Sequence, residues 1–221
     1  MKMRWLVCFF SILLLAGCQV LPAQKPARKN YDLGLMPILN QGSFTGTGLS
    51  AVDVSEIKAP GWLQTTDMYY RLSYADAARI RWYALSRWIR PPAQLLGPVV
   101  QKAFARHALL VTNGQAQQVR WKLSLRLNDF EQVFVSPGQS YARVVLTASL
   151  VQLPYRHFYA QRQFSIEVPA KRNTAQGGVA AFSDACVHLS AELAGWVMQH
   201  IQEAPSIPPG KTNSVTSLGA K

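Results

Sequence analysis

The stretch ARIRWYALSRWIRPPAQLL, residues 78–96, carries four arginines, two tryptophans and a tyrosine ahead of a proline pair. Arginines interleaved with aromatics can grip phosphates and stack bases, as single-stranded nucleic-acid binders do. Asp184, His188 and Glu192 recur every fourth residue and would align on one helix face, a spacing open to metal ligation. They fall away from the apolar stripe of their helix, however, and no second ligand pair accompanies them, so a solvated face is the expectation. The glycines of GSFTGTG (42–48) precede no Lys-Ser/Thr and open no helix, which makes a surface loop and not a phosphate cradle. No G-x-S-x-G elbow, CxxC or HExxH occurs. The residues therefore offer no catalytic set, no metal set and no cofactor fingerprint.

The N-terminus decides which of these chemistries has a substrate. MKMRWLVCFFSILLLAGCQV places Lys2 and Arg4 before an apolar run from Trp5 to Leu15, then small residues and a cysteine. A charged start, a short apolar segment and a small-residue end make an export signal, too short to span a bilayer stably. Its ending, Leu15-Ala16-Gly17-Cys18, resembles the bacterial lipobox. That resemblance implies cleavage after residue 17 and acylation of Cys18, which becomes the first mature residue. Two or more acyl chains hold a protein stably at about 0.8 kcal/mol per buried CH₂, where one chain holds it marginally. Gln19, not aspartate, follows the cysteine, and the resemblance then implies sorting to the outer membrane. A periplasm-facing protein meets no resident nucleic acid, so the arginine–aromatic run needs another partner.

Loss of residues 1–17 removes Lys2 and Arg4 and no acid, so the net charge of +12 falls to +10. This balance favours anionic partners, either lipid head groups or an acidic protein face. Cys8 leaves with the signal and Cys18 is acylated, so Cys186 alone remains and stability must come from a core. Residues 18–30, proline-rich and basic, read as a lipidated tether. Residues 204–221 read as a disordered tail. Residues 31–203 form one domain.

Within that domain strand signals dominate. Residues 49–57 form a first strand. In MYYRLSY, Met68, Tyr70, Leu72 and Tyr74 share a face against Tyr69, Arg71 and Ser73. ADAA turns the chain, and RIRWYA returns with Ile80, Trp82 and Ala84 inward and Arg79, Arg81 and Tyr83 outward. Pro91 and Pro92 open a helix to about residue 110, with Leu95, Leu96, Val99, Val100, Ala103 and Leu110 on its apolar stripe, Pro98 in its interior and His107 as a core histidine. Val119, Trp121, Leu123, Leu125 and Leu127 alternate with polar residues along the next strand. YARVVLTASLVQL and FYAQRQFSIEV follow, the latter with Phe158, Ala160, Phe164, Ile166 and Val168 on one side. A last helix over 175–202 buries Phe182, Ala185, Cys186, Leu189, Leu193, Trp196 and Val197. Trp82, Trp88, Trp121 and Trp196 are assigned to the core. The order is βββα twice: an α+β domain, an antiparallel or mixed sheet with two main helices on one face.

GWLQTTDMYYRLSY through RIRWYALSRWIRPPAQLL resembles the ABC-type transport auxiliary lipoproteins. Ser86, Arg87, Trp88, Pro91, Pro92, Leu95 and Leu96 occupy the family's basic, proline-paired segment, and Phe130, Glu131 and Gln132 its FEQ element. The alternating strand ARVVLTASL and a C-terminal helix bearing a tryptophan also fit. In place of the family's compact first strand stands YDLGLMPILNQGSFTGTG. The resemblance implies a non-enzymatic role beside an ABC transporter and an MCE-domain protein that move lipids or other hydrophobic compounds across the envelope. Homo-oligomerisation stays open. So do an accessory role in another envelope assembly or secretion machine, and a periplasmic hydrolase of unfamiliar fold. The expected partner-binding residues are Arg71, Arg79, Arg81 and Tyr83, because arginines on neighbouring strands repel one another unless an anion lies between them.

Replacing Cys18 by alanine is expected to leave the precursor unprocessed or mislocalised. Metabolic labelling with a radioactive fatty acid checks this, and wild-type protein that stays unlabelled and water-soluble would overturn it.

Overall fold

A computed structural model describes residues 26–34, 50–106, 109–112, 119–153 and 156–204. Cys18, the glycine loop 42–48, His107 and the C-terminal tail beyond Ala204 lie outside the described residues. The order is β1 (Lys29–Tyr31), β2 (Ser50–Val54), β3 (Asp67–Leu72), β4 (Asp76–Trp88), α1 (Pro92–Arg106), β5 (Leu109–Thr112), β6 (Trp121–Ser136), β7 (Gln139–Gln152), β8 (His157–Pro169) and α2 (Ala175–Glu203). This is the expected α+β plan, with one short strand added to each half.

The spine of the sheet is β6. Its sixteen residues pair antiparallel with β7 along one edge, and β7 pairs with β8 beyond. The other edge is shared by two parallel strands, β2 against Trp121–Leu123 and β3 against Gln132–Phe134. The chain between them stays on β6, because Lys58 N–H donates to Leu125 O at 3.0 Å and Leu127 N–H to Lys58 O at 2.8 Å. Outside β2 lies β5, and outside β3 lie β4 and then β1, all but β4 in parallel pairing. Both helices cover one face of this mixed sheet.

α1 begins where the proline pair predicts. Pro92 is its first residue, and Leu95 N–H donates back to Pro91 O. It passes through Pro98 and ends at Arg106, four residues short of the expected end. Leu109–Thr112 instead forms β5, whose residues pair in parallel with Ser50–Asp53. A parallel partner sixty residues upstream leaves no periodicity in the strand itself, which is why Leu110 reads as helix in the sequence. α2 is capped by Thr174, whose Oγ1 accepts from Gly177 N–H at 3.1 Å. Its buried stripe contains every residue expected of it.

Strand faces follow the alternation until a bulge intervenes. On β6, Trp121, Leu123, Leu125 and Leu127 face the helices; the irregularity between Leu127 and Asp129 then shifts the helix-facing set to Phe130, Gln132 and Phe134. On β4 the shift is larger. Asp67 pairs with Arg87 and Tyr69 with Trp82, so five steps along β4 answer two along β3. An odd surplus reverses the faces, and Trp82 and Trp88, both even-numbered, point opposite ways. Trp88 is 1% exposed and packs edge-on to Phe130 and Phe182, which stack on each other at 4.3 Å. Trp82 is 63% exposed and Ile80 36%. The inward assignment of Ile80, Trp82 and Ala84 is therefore corrected, and Tyr83, expected outward, lies on the helix side. A further shift between Leu150 and Val151 turns Phe158 out to solvent, away from Phe164 and Ile166.

Trp88→Ala is expected to cost about 3–5 kcal/mol, as truncation of a buried aromatic does. Trp82→Ala is expected to stay within about 0.5 kcal/mol of wild type. Urea unfolding followed by far-UV circular dichroism checks both; equal losses would overturn the assignment of faces.

Candidate partner-binding face

The FEQ tripeptide sits where β6 has just crossed its bulge, and each residue serves a different layer. Phe130 belongs to the aromatic stack under α2. Gln132 also points to the helices. Tyr83 Oη donates to its Oε1 at 2.9 Å, its Nε2 donates to Ser140 Oγ at 2.8 Å, and Ser140 donates to Asn173 Oδ1 at 2.8 Å. This chain of bonds ties β4, β6 and β7 to the entrance of α2. Gly178 completes it, since a Cβ there would collide with the Gln132 side chain.

Glu131 points the other way and is fully buried. Arg71 Nε reaches its two oxygens at 3.0 and 3.2 Å, while Arg71 Nη1 donates to Ala77 O at 2.6 Å. Arg143 Nη2 bridges Glu131 Oε1 and Asp129 Oδ2, the latter at 2.7 Å. Two guanidinium groups balance two carboxylates, so the cluster is neutral. Burial, and then the nearby Glu131 charge, hold the Asp129 carboxyl above its usual range, although Arg143 pulls it down. Burial and the neighbouring Tyr70 push the Tyr83 phenol up, so it stays a hydrogen-bond donor. Burial likewise keeps the Cys186 thiol protonated.

These contacts separate the four expected binding residues. Arg71 is an internal ion-pair partner. It lies opposite Ile80 in the ladder, on the face away from Arg81, and Glu131 neutralises it. The expected crowding of Arg71 with Arg79 and Arg81 does not occur. Tyr83 is half-buried and committed to Gln132. Arg79 is exposed and Arg81 half-buried, and neither has an ion-pair partner among the described residues. The sequence reading missed Asp129, Arg143, Ser140 and Asn173. One signal was available: Glu131 and Gln132 are adjacent between Phe130 and the apolar run Val133–Val135, so alternation must turn one of them to the core, and buried polar groups need partners.

Asp184, His188 and Glu192 are all exposed on α2, the solvated face expected of them. No group of three His, Cys, Asp or Glu among the described residues is placed to hold a metal ion. Between β2 and α1 lies a groove of about 670 Å³, floored by Val54, Ile57 and Leu125 and rimmed by Asp53, Arg90 and Lys122. Asp53 and Lys122, opposite one another in the β2–β6 ladder, pair at 3.8 Å. No described helix is long and apolar enough to cross a membrane.

Fold and site together define an α+β domain with one helix-covered sheet face and an outward face braced by ion pairs. The family model for the ABC-type transport auxiliary lipoprotein component matches residues 31–194, and the chain belongs to that family. Protein XCC0632 from Xanthomonas campestris shares the fold at 19% identity and a TM-score of 0.65, over 79% of this chain and 97% of that one. An uncharacterized protein matches at 14% identity and a TM-score of 0.61, over 77% of this chain and 99% of the other. No curated protein matches the sequence.

A carboxyl with a raised folded-state pKa binds its proton more tightly folded than unfolded. Its contribution is full below the unfolded value and is lost as pH rises through the folded one. Asp129→Asn, which mimics the neutral form, is therefore expected to gain on wild type as pH climbs from the ordinary aspartate range toward neutrality. Melting temperatures of both proteins across that range check this. A constant difference would show that Asp129 titrates normally.

Proposed function

We propose that the protein is a periplasm-facing lipoprotein, anchored through Cys18 in the outer membrane, that serves as a non-enzymatic docking component of an ABC/MCE transport system. Lipids or other hydrophobic compounds are its cargo class. The observation that carries this reading is the family match over residues 31–194, reached from a chain whose start resembles a lipobox. The chemistry of the domain agrees with it. Buried polar residues are spent on bracing β3, β4, β6 and β7, while exposed apolar side chains gather on β4. Exposed apolar residues set beside uncommitted charges suit a surface that meets another protein.

Purification of the tagged lipoprotein from detergent-solubilised membranes is expected to bring down an MCE-domain protein and its ABC transporter subunits. Deletion is expected to lower tolerance of hydrophobic agents. Recovery of an unrelated envelope assembly or secretion machine, with permeability unchanged, would assign the protein to that machine.

A further inference from the structure

We infer that the open edge of β4 is a docking site for an extended, alternately acidic and apolar segment of a partner protein, which joins the sheet as one more strand. The strand runs thirteen residues, yet β1 covers only Ser86–Trp88 on the side away from β3. Over residues 76–85 that side has no neighbouring strand among the described residues. Unpaired N–H and C=O groups along such an edge are a template for β-addition. On one face of that edge the side chains lack the charge that usually deters pairing. Ile80 and Trp82 are exposed on the face away from the helices, and Leu85, 46% exposed, follows them.

Charge selects the occupant. Tyr70 lies opposite Arg81 in the ladder and touches Tyr83 and Phe134, which places Arg81 on the helix side of the strand. Alternation puts Arg79 on the same side, and neither arginine has an ion-pair partner among the described residues. A second copy paired antiparallel about Ile80 would set Arg79 of each chain against Arg81 of the other, and like charges directly opposite destabilise a ladder. A strand with acids beside Arg79 and Arg81, and apolar residues beside Ile80 and Trp82, meets both requirements. Main-chain bonds would supply affinity and the alternating side chains register.

The inference rests on the proposed docking role only for who supplies the strand, and binding is measured on the isolated mature protein. The probe is a fluorescent, end-blocked nonapeptide of alternating Glu and Val. Its control is the same composition with the glutamates grouped in one block. Fluorescence anisotropy is expected to show saturable binding of the alternating peptide, at least about tenfold weaker for the blocked one. Arg79→Glu with Arg81→Glu is expected to weaken binding by a similar factor while melting within a few degrees of wild type, and Arg79→Gln with Arg81→Gln to fall between. Equal affinity for both peptides would reduce the effect to bulk charge and overturn strand addition. So would no binding to the wild-type protein, binding unchanged in both arginine variants, or a dimer abolished by the same substitutions. Failure of these peptides leaves the co-purification result of the docking role untouched, so the two readings fail separately.

Discussion

Glu131 carries a charge at a position without solvent access, and the arrangement of the sheet answers that one constraint. Desolvating a carboxylate costs several kcal/mol even after relaxation, and only close counter-charges with good geometry repay it. Arg71 and Arg143 do so from strands on opposite sides of β6. The registers that bring Arg71 opposite Val133, and Glu131 opposite Arg143, are therefore fixed electrostatically as well as by apolar packing. A slip of either strand by one residue would remove an arginine to the other face and leave Glu131 uncompensated. Gln132 imposes the matching condition on the helix side. The two polar neighbours thus lock the same four-strand segment from above and below.

That lock explains which parts of the fold the sequence displays. The apolar stripe of α2, the alternation of Trp121 to Leu127 and the proline entrance to α1 are local patterns, and each element lies where its pattern puts it. The strands β1 and β5 are three and four residues long and owe their existence to distant parallel partners, so nothing local announces them. Bulges are equally silent. The periodicity of RIRWYA is the same whether Trp82 or Tyr83 faces in, and the odd surplus between the two pairings with β3 decides it.

The same reversal changes how the arginine–aromatic run is understood. With Trp82 inward, the run would be a core strand with a charged face and Arg71 would join a repulsive cluster. With Trp82 outward and Arg71 spent on Glu131, the charge at issue shrinks to Arg79 and Arg81, while the apolar surface beside them grows. The proposed periplasmic location would remove nucleic acid as the partner. Strand geometry then replaces a diffuse electrostatic patch by a defined edge with one apolar and one basic side.

Affinity at that edge need not be high. A single strand added to a sheet offers a few main-chain bonds, each worth on the order of 1 kcal/mol net. On the proposed reading, acylation of Cys18 would join the domain to the membrane through the ten residues before β1, whose length limits the separation to roughly 40 Å. Confinement of this kind would raise the effective concentration of a membrane-bound partner toward about the millimolar range. Weak strand addition then suffices to hold the complex. Orientation would come from the docked edge: β1, the first strand of the domain, pairs with Ser86–Trp88 on the same side of β4, so a partner bound there would sit beside the N-terminal end of the sheet.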